Sequence, residues 1–423
     1  MSKQIPGYRR VSYALLLGGF ATFWLLYWPQ PLLPHFARDL QLSPAQSSFI
    51  LSIATAALGL ALIPASLLAD RFGRRPVMCW AMFLAAALTV MTAWAHNLEQ
   101  LLVLRALVGV ALAGLPATAM AYAGEEVEPR AVGSVMGIYI AGTALGGMSG
   151  RLATAVVAEY WPWADAVAAV GVIGVFAAIA MWWFLPPSQY FYARALPWSR
   201  QGRQAFASAI KAITSDAQLW ALYITGFLLL GIFVGLFNYL SFRLELPPFL
   251  LSSAAIGAVF LLYLPGSLAS AWSGRLTRQL GQRAALAWMW LLMLLGLWLS
   301  LANYLICLLV GVALFTFSFF GAHAIASSWV GQRAGQHKAL AAALYLLSYY
   351  IGASALGTLA GVAWAGQGWF GVVILLTCAL ALGVALLCWI LRAFDETYDG
   401  DQYHRTHSGY DDAGNKSSAR RQA

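Results

Sequence analysis

A few polar side chains stand inside stretches that are otherwise apolar, and any chemistry this chain does has to start from them. Arg105 lies about seven residues, or roughly 10 Å, inside an uncharged run if that run is helical. A cation at such depth is costly unless it meets a partner or a wet cavity. It is expected to face an interior cavity, biasing a nearby proton-carrying group or binding an anion; bonding to neighbouring carbonyls is the alternative. His323 is the histidine that sits well inside an apolar run. Its ordinary pKa near 6.5 suits proton exchange, and a hydrogen-bonded core histidine is the alternative. Gln30 is enclosed by Tyr27-Trp28-Pro29-Gln30-Pro31-Leu32-Leu33-Pro34, whose three prolines interrupt backbone bonding while the amide is offered to the interior. Asn238 and Tyr239 form a similar polar pair later in the chain. With Tyr27, these make the candidate substrate and coupling set: Tyr27, Gln30, Arg105, Asn238, Tyr239 and His323. Acids are absent from the middles of the runs. Asp39, Glu159, Asp165 and Glu245 fall at one set of run ends, and Glu125 and Glu126 at the other.

The densest charge lies in Leu68-Ala69-Asp70-Arg71-Phe72-Gly73-Arg74-Arg75-Pro76, between two runs that carry none. Each run is about 20 residues, enough to cross a bilayer as helix. So short a connection makes the two helices antiparallel neighbours. Gly73 relaxes the backbone at the reversal, and Pro76 suits the first turn of the next helix. Asp70 is the one acid in this basic loop.

The elements that must hold these residues follow from composition. Of 423 residues 61% are hydrophobic and 10% charged, too little polar surface to cover a water-soluble domain. The fold class is an all-α polytopic membrane protein. Apolar segments place helices at about 11–34, 46–69, 76–95, 98–123, 131–157 and 164–185, then at about 218–243, 250–273, 284–302, 303–328, 338–365 and 370–392. That predicts an N-terminal six-helix bundle over 1–185, a linker over 186–217, a C-terminal bundle over 218–392 and a disordered tail over 393–423. The linker has a surface helix near Arg203–Thr214. The net charge of +9 is not a nucleic-acid patch, because its arginines and lysines fall in alternate loops. This is the positive-inside pattern, with both termini, linker and tail cytoplasmic. The four cysteines show no metal or redox spacing, and no Gly-x-x-x-x-Gly-Lys-Ser/Thr phosphate loop occurs. No catalytic group, metal or cofactor is expected.

The two sets of helices read as one design used twice. Gly274–Arg283 echoes Ser66–Arg75, keeping the leucine, the turn glycine and the last arginine, with Arg278 where Asp70 stood. Gly133–Gly150 and Ser348–Gly361 also correspond in order. Such a repeat suggests a solute pathway between the halves at the bilayer midplane.

Asp70-Arg71-Phe72-Gly73-Arg74-Arg75 resembles motif A of the major facilitator superfamily, with Ser66 where that family more often has glycine. Arg105 and Gly109 resemble its motif B, with Val108 where glutamine is common. Gly133, Gly142, Gly146 and Gly150 match the antiporter motif C, with Gly147 for its proline and Arg151 for its last glycine. More narrowly, Leu26–Pro34, Glu125-Glu126, Gly142–Arg151, Phe237–Tyr239, Ala322–Trp329 and Ser348–Gly352 resemble the YnfM-type, acriflavine-sensitivity branch of twelve-helix drug/proton antiporters.

The resemblance implies proton-linked efflux of a small organic molecule across the cell inner membrane, with the proton gradient as drive and a monomer as the working unit. It also implies that helices one, four, seven and ten line the cavity. Motif A would be a cytoplasmic gate: Arg71, Arg74 and Arg75 pair with Glu125 or Glu126, and Asp70 caps the start of helix eleven. The motif C glycines either pack helices closely or bend helix five between the halves. Arg151, near the outer end of helix five, is expected to snorkel to the interface. Uptake of a sugar or organic anion is the alternative within transporters. A membrane-embedded enzyme acting on a lipid-linked substrate is the rival from another class, but it would want paired acids and a sizeable loop. Asp70→Asn is expected to impair transport in membrane vesicles while leaving the amount of protein in the membrane unchanged; undiminished transport removes the latch.

Overall fold

The computed structural model describes residues 7–189 and 200–418, so residues 190–199 of the expected linker lie outside it. Ten helical stretches are long and apolar enough to cross a bilayer. Two of them, Ser253–Leu299 and Leu340–Ala385, hold 47 and 46 residues, about two crossings each. The first is broken at Gly281 and the second at Gln367–Gly368, so the chain makes twelve crossings. In chain order these are α1 (Tyr8–Asp39), α2 (Pro44–Phe72), α3 (Arg74–Thr92), α4 (Leu98–Glu126), α5 (Arg130–Tyr160) and α6 (Trp163–Phe184). The second half has α7 (Ala217–Glu245), α8 (253–280), α9 (282–299), α10 (Leu305–Arg333), α11 (340–366) and α12 (369–385). A further helix, Arg200–Thr214, lies between the halves. No strand occurs among the described residues.

The helix ends have local causes. Ser43 and Gln46 form a reciprocal capping box at the start of α2, Asn97 caps α4, and Asp216 accepts from the first amides of α7. Gly73 (φ 101°) and Gly281 (φ 77°) make the two reversals that the sequence echo pairs, both in a region of φ that a side chain disfavours. Three crossings are interrupted. In α1, regular helix stops at Tyr27, a 3-10 turn spans Gln30–Leu32, and helix resumes at Leu33–Asp39. The breaks in α4, before Pro116, and in α8, at Phe260–Leu262, are similar. Past 392, where a disordered tail is expected, helical backbone continues to Ser418. No proline follows Pro265 to stop it, although the Gly- and Asp-rich composition there offers the extension no apolar face.

Glycines decide how closely the crossings approach. On α5, a Cβ added at Gly142, Gly146 or Gly150 would meet the Leu16, Phe20 or Trp24 carbonyl oxygen of α1 at 2.3, 1.9 or 3.1 Å. Gly142, Gly146 and Gly150 of motif C therefore pack α5 onto α1 inside one half. On α11, Gly352 meets the Phe227 carbonyl of α7 at 1.9 Å in the same manner. Gly133 and Gly137, at the other end of α5, face open space.

The halves touch along two seams. Thr358 of α11 donates to Ser52 of α2 at 3.1 Å, and a Cβ on Gly257 of α8 would lie 2.5 Å from the Cβ of Ala155 on α5. Gly146→Ala and Gly352→Ala should each destabilise the bundle by about 1–3 kcal/mol through forced backbone shifts. Gly137→Ala should be neutral or slightly stabilising, since it only adds helix propensity. Thermal unfolding in detergent checks this; equal melting temperatures for all three would refute the packing account.

Candidate functional site

Arg105 is fully buried, and its guanidinium is spent on backbone. Nε donates to the Ile50 carbonyl of α2 at 3.1 Å, while Nη1 and Nη2 donate to the Leu25 and Leu26 carbonyls of α1 at 3.0 and 2.5 Å. Pro29 has no N–H to give to Leu25, so the break in α1 frees carbonyls that the arginine then satisfies. Its charge centre also lies 5.4 Å from the Trp28 ring. The expectation that Arg105 faces the cavity is corrected: it fastens three helices together.

The same break turns Gln30 inward, and a relay of amides begins there. Arg151 Nε donates to Gln30 Oε1 at 2.6 Å, and Gln30 Nε2 donates to Asn238 Oδ1 at 2.8 Å. The relay joins α5 and α1 of one half to α7 of the other. Arg151 also donates through Nη1 to the Gly147 carbonyl at 2.5 Å. Its guanidinium centre lies 4.3 Å from the Tyr27 ring, 5.0 Å from Tyr263 and 5.2 Å from Phe260. The snorkelling expected of Arg151 does not occur. α5 continues nine residues beyond it to Tyr160, roughly 13 Å and too far for the side chain to reach an interface. The adjacent glycine stripe holds that face against α1 instead.

His323 of α10 sits among aromatic rings of α11. Its Nδ1 is 3.0 Å from the Tyr345 hydroxyl, and its ring stacks on Tyr349 at 4.5 Å and on Phe319 at 6.2 Å. Tyr239 does not join the set. It stacks on Phe242 and Trp364, with its hydroxyl 3.5 Å from the Pro44 carbonyl, in the seam between α7 and α2. Tyr27, Gln30, Asn238 and Arg151 are thus brought together, while Arg105, Tyr239 and His323 lie apart from that relay.

At the basic end, motif A contacts its own half. Arg74 pairs with Asp70 at 2.6 Å and with Glu125 at 3.1 Å. Arg75 donates to the Leu185 and Trp182 carbonyls, Arg71 lies over the Phe72 ring, and Glu126 accepts from the Gln189 amide. Among the described residues Asp70 pairs with Arg74 of its own half rather than with the start of α11.

At the opposite end the halves are clasped by residues not singled out from the sequence. Arg38 pairs with Glu245, the Ala254 amide at the start of α8 donates to Glu159 at 3.0 Å, and His35 lies 3.3 Å from the Ser253 hydroxyl. The available signal was the set of acids at outer run ends; their partners belong to the other half and are invisible to local spacing. A separate recess of about 470 Å³, lined by Met91, Trp94, Glu99 and Val103 at the outer ends of α3 and α4, is remote from all of these groups.

Residues 15–273 match the family model described as Major Facilitator Superfamily. The chain is 38% identical over 391 residues to the uncharacterized MFS-type transporter YybF of Bacillus subtilis (strain 168), covering 92% of this chain and 96% of that one. It is 40% identical over 385 residues to the inner membrane transport protein YnfM of Escherichia coli (strain K12), covering 90% and 91%. Its fold is shared by the crystal structure of a bacterial homologue of the human lysosomal transporter Spinster in an inward-facing, unoccupied conformation. There the TM-score is 0.76, the identity 17% and the coverage 93% of this chain and 98% of that one.

Arg105→Ala strands the two carbonyls freed at the break in α1, those of Leu25 and Leu26, and the cost should reach about 3–5 kcal/mol. A large fall in detergent melting temperature or folded yield is the expected outcome, with Arg105→Lys intermediate because an ammonium cannot span all three acceptors. Wild-type stability in Arg105→Ala would overturn the fastening role.

Proposed function

The chain belongs to the major facilitator superfamily, and from that premise we propose that it is a secondary active transporter of the inner membrane, not an enzyme. It moves a small organic solute by alternating access, outward and in exchange for protons. The observation that carries this reading is the unequal closure of the two ends. At the sparsely basic end, Arg38–Glu245, Glu159–Ala254 and His35–Ser253 all bridge the halves. At the basic end, Arg74 pairs with Asp70 and Glu125 and Arg75 donates to the Leu185 carbonyl, all within the first half, and a Cβ added at Gly133, Gly137 or Gly274 would meet nothing within 4 Å. With basic loops on the cytoplasmic side, the molecule is closed to the outside and open to the inside. Rocking the halves about the Gln30–Asn238 bond would break the outer clasp and bring motif A against α11, exchanging one access for the other.

The coupling group best supported is His323. Among the described residues the acids of the crossings sit at helix ends, whereas His323 is interior and carries an imidazole that can take up or release a proton. In one conformation it would hold a proton beside the Tyr345 hydroxyl, and in the other it would release it to the opposite side. The test is solute-triggered proton movement in proteoliposomes, screened across cationic dyes, sugars and organic anions. At least one solute should dissipate a pH gradient, and His323→Ala should slow this tenfold or more. Movement that persists unchanged in His323→Ala removes that residue from coupling, and transport of a solute with no proton movement replaces exchange with facilitated diffusion.

A further inference from the structure

We propose that Arg151 is the anchor of an anion subsite, and that the transported solute is a small aromatic carboxylate. The inference rests on the transporter reading for its biological sense and on geometry alone for its chemistry. Arg151 is 2% exposed, and no acidic side chain pairs with it among the described residues. Every other arginine bonded deep in the bundle is either saturated by carbonyls, as Arg105 is, or matched by carboxylates, as Arg74 is. Arg151 has one amide oxygen, one carbonyl and three ring faces. Nε and Nη1 are engaged, and Nη2 makes no hydrogen bond within the described residues. Ring faces attract the cation but leave its N–H groups without acceptors.

The groups around it are short of acceptors in the same sense. Arg151 can only donate, so Gln30 must accept through Oε1 and donate through Nε2; Asn238 must then accept through Oδ1. The relay therefore ends on Asn238 Nδ2, a fully buried donor with no partner. The Tyr263 hydroxyl, on a residue 4% exposed whose ring flanks the guanidinium, is likewise unpartnered. A buried cation and the unsatisfied Tyr263 hydroxyl beside it call for a compact acceptor that carries negative charge, while Asn238 Nδ2 lies against α11 at Gly357. A carboxylate supplies it, with two oxygens to share between Nη2 and the Tyr263 hydroxyl.

The body of the ligand is set by what borders this pole. Tyr27, Tyr263 and Phe260 offer flat faces beside the charge, and the ring stack of Phe319, His323 and Tyr349 continues the wall. A single planar ring next to the carboxylate fits such walls, and a cationic dye does not fit beside an unpaired guanidinium.

The test is binding to the purified, full-length protein in detergent, read by thermal shift and tryptophan fluorescence. Benzoate, 4-hydroxybenzoate and phenylacetate are compared with the neutral benzamide, and with acetate. At least one aromatic carboxylate should bind at least tenfold more tightly than benzamide and than acetate. Tyr263→Phe, which removes only a hydroxyl, should weaken that carboxylate about fivefold, and Arg151→Gln should abolish its preference over the amide. If Arg151→Gln fails to fold, Tyr263→Phe and the carboxylate–amide comparison in the unaltered protein decide. No carboxylate binding, equal binding of carboxylate and amide, or an unaffected Tyr263→Phe overturns the subsite. Tight carboxylate binding with no movement of that solute in proteoliposomes leaves the subsite standing and counts against the transport reading instead. Movement of dyes or sugars without carboxylate binding does the reverse.

Discussion

A proline cannot donate a backbone hydrogen bond, and Pro29 places that deficit in the middle of a membrane crossing. In hydrocarbon an unpaired carbonyl has no water to turn to, so the break in α1 is tolerable only if donors arrive from elsewhere. Arg105 is that donor, and charge-assisted bonds of this kind contribute about 1.5–3 kcal/mol each. Fixing Leu25 and Leu26 to α4 and α2 orients the next turn. Gln30 then points to the centre of the bundle, and Tyr27 lies against Arg151. The polar relay between the halves exists because the helix is broken and the break is capped. Had α1 run straight, its amide would be one more residue on a continuous helical face.

The glycine pattern sets a second constraint. On α5 and α11 the carbonyl oxygens of α1 and α7 occupy the space a Cβ would need, so each pair behaves as a rigid unit within its half. Between the halves, close approaches of Gly257 to Ala155 and of Gly361 to Ala45 are accompanied by polar contacts: an amide pair, a hydroxyl pair, an ion pair and a helix amide on a carboxylate. Close-packed backbone resists separation, whereas the ion pair and the carboxylate contact at the outer end lie where water can replace them. The division of labour is what a rocking motion requires. Stiffness lies inside each bundle and replaceable bonds lie between them.

Much of this was legible in the chain. Apolar run lengths fix the number of crossings, and the Gly73 and Gly281 reversals follow from the echo between the loops that contain them. The three prolines around Gln30 announce a broken helix, and the structure breaks it there. What could not be read was which groups meet across helices. Arg105 and Pro29 are far apart in sequence, and nothing local says that one repairs the other. Hydropathy alone puts Arg151 near the interface, but α5 extends past its apolar run to Tyr160, which holds the charge deeper. The outer clasp escaped notice because Arg38 and Glu245 look like ordinary interfacial charges until the halves are assembled. Tyr263, Phe260 and Tyr349 look like ordinary aromatics of apolar helices for the same reason.

Arg105 and Arg151 show why chemistry, rather than burial, separates a structural cation from a functional one. Both are enclosed and both carry the same penalty for leaving water. Arg105 recovers it from three carbonyls that cannot move without unwinding a helix, so its bonding is the same whichever way the halves tilt. Arg151 recovers it partly from an amide whose other end is held by the opposite half, and partly from rings. Any tilt that stretches the Gln30–Asn238 bond therefore alters the field at Arg151, and any anion that neutralises Arg151 weakens its hold on Gln30. Solute charge and the position of the halves are joined through one amide. Among the described residues the acids of the crossings sit at helix ends, and that amide is the shortest route by which binding can be felt as movement.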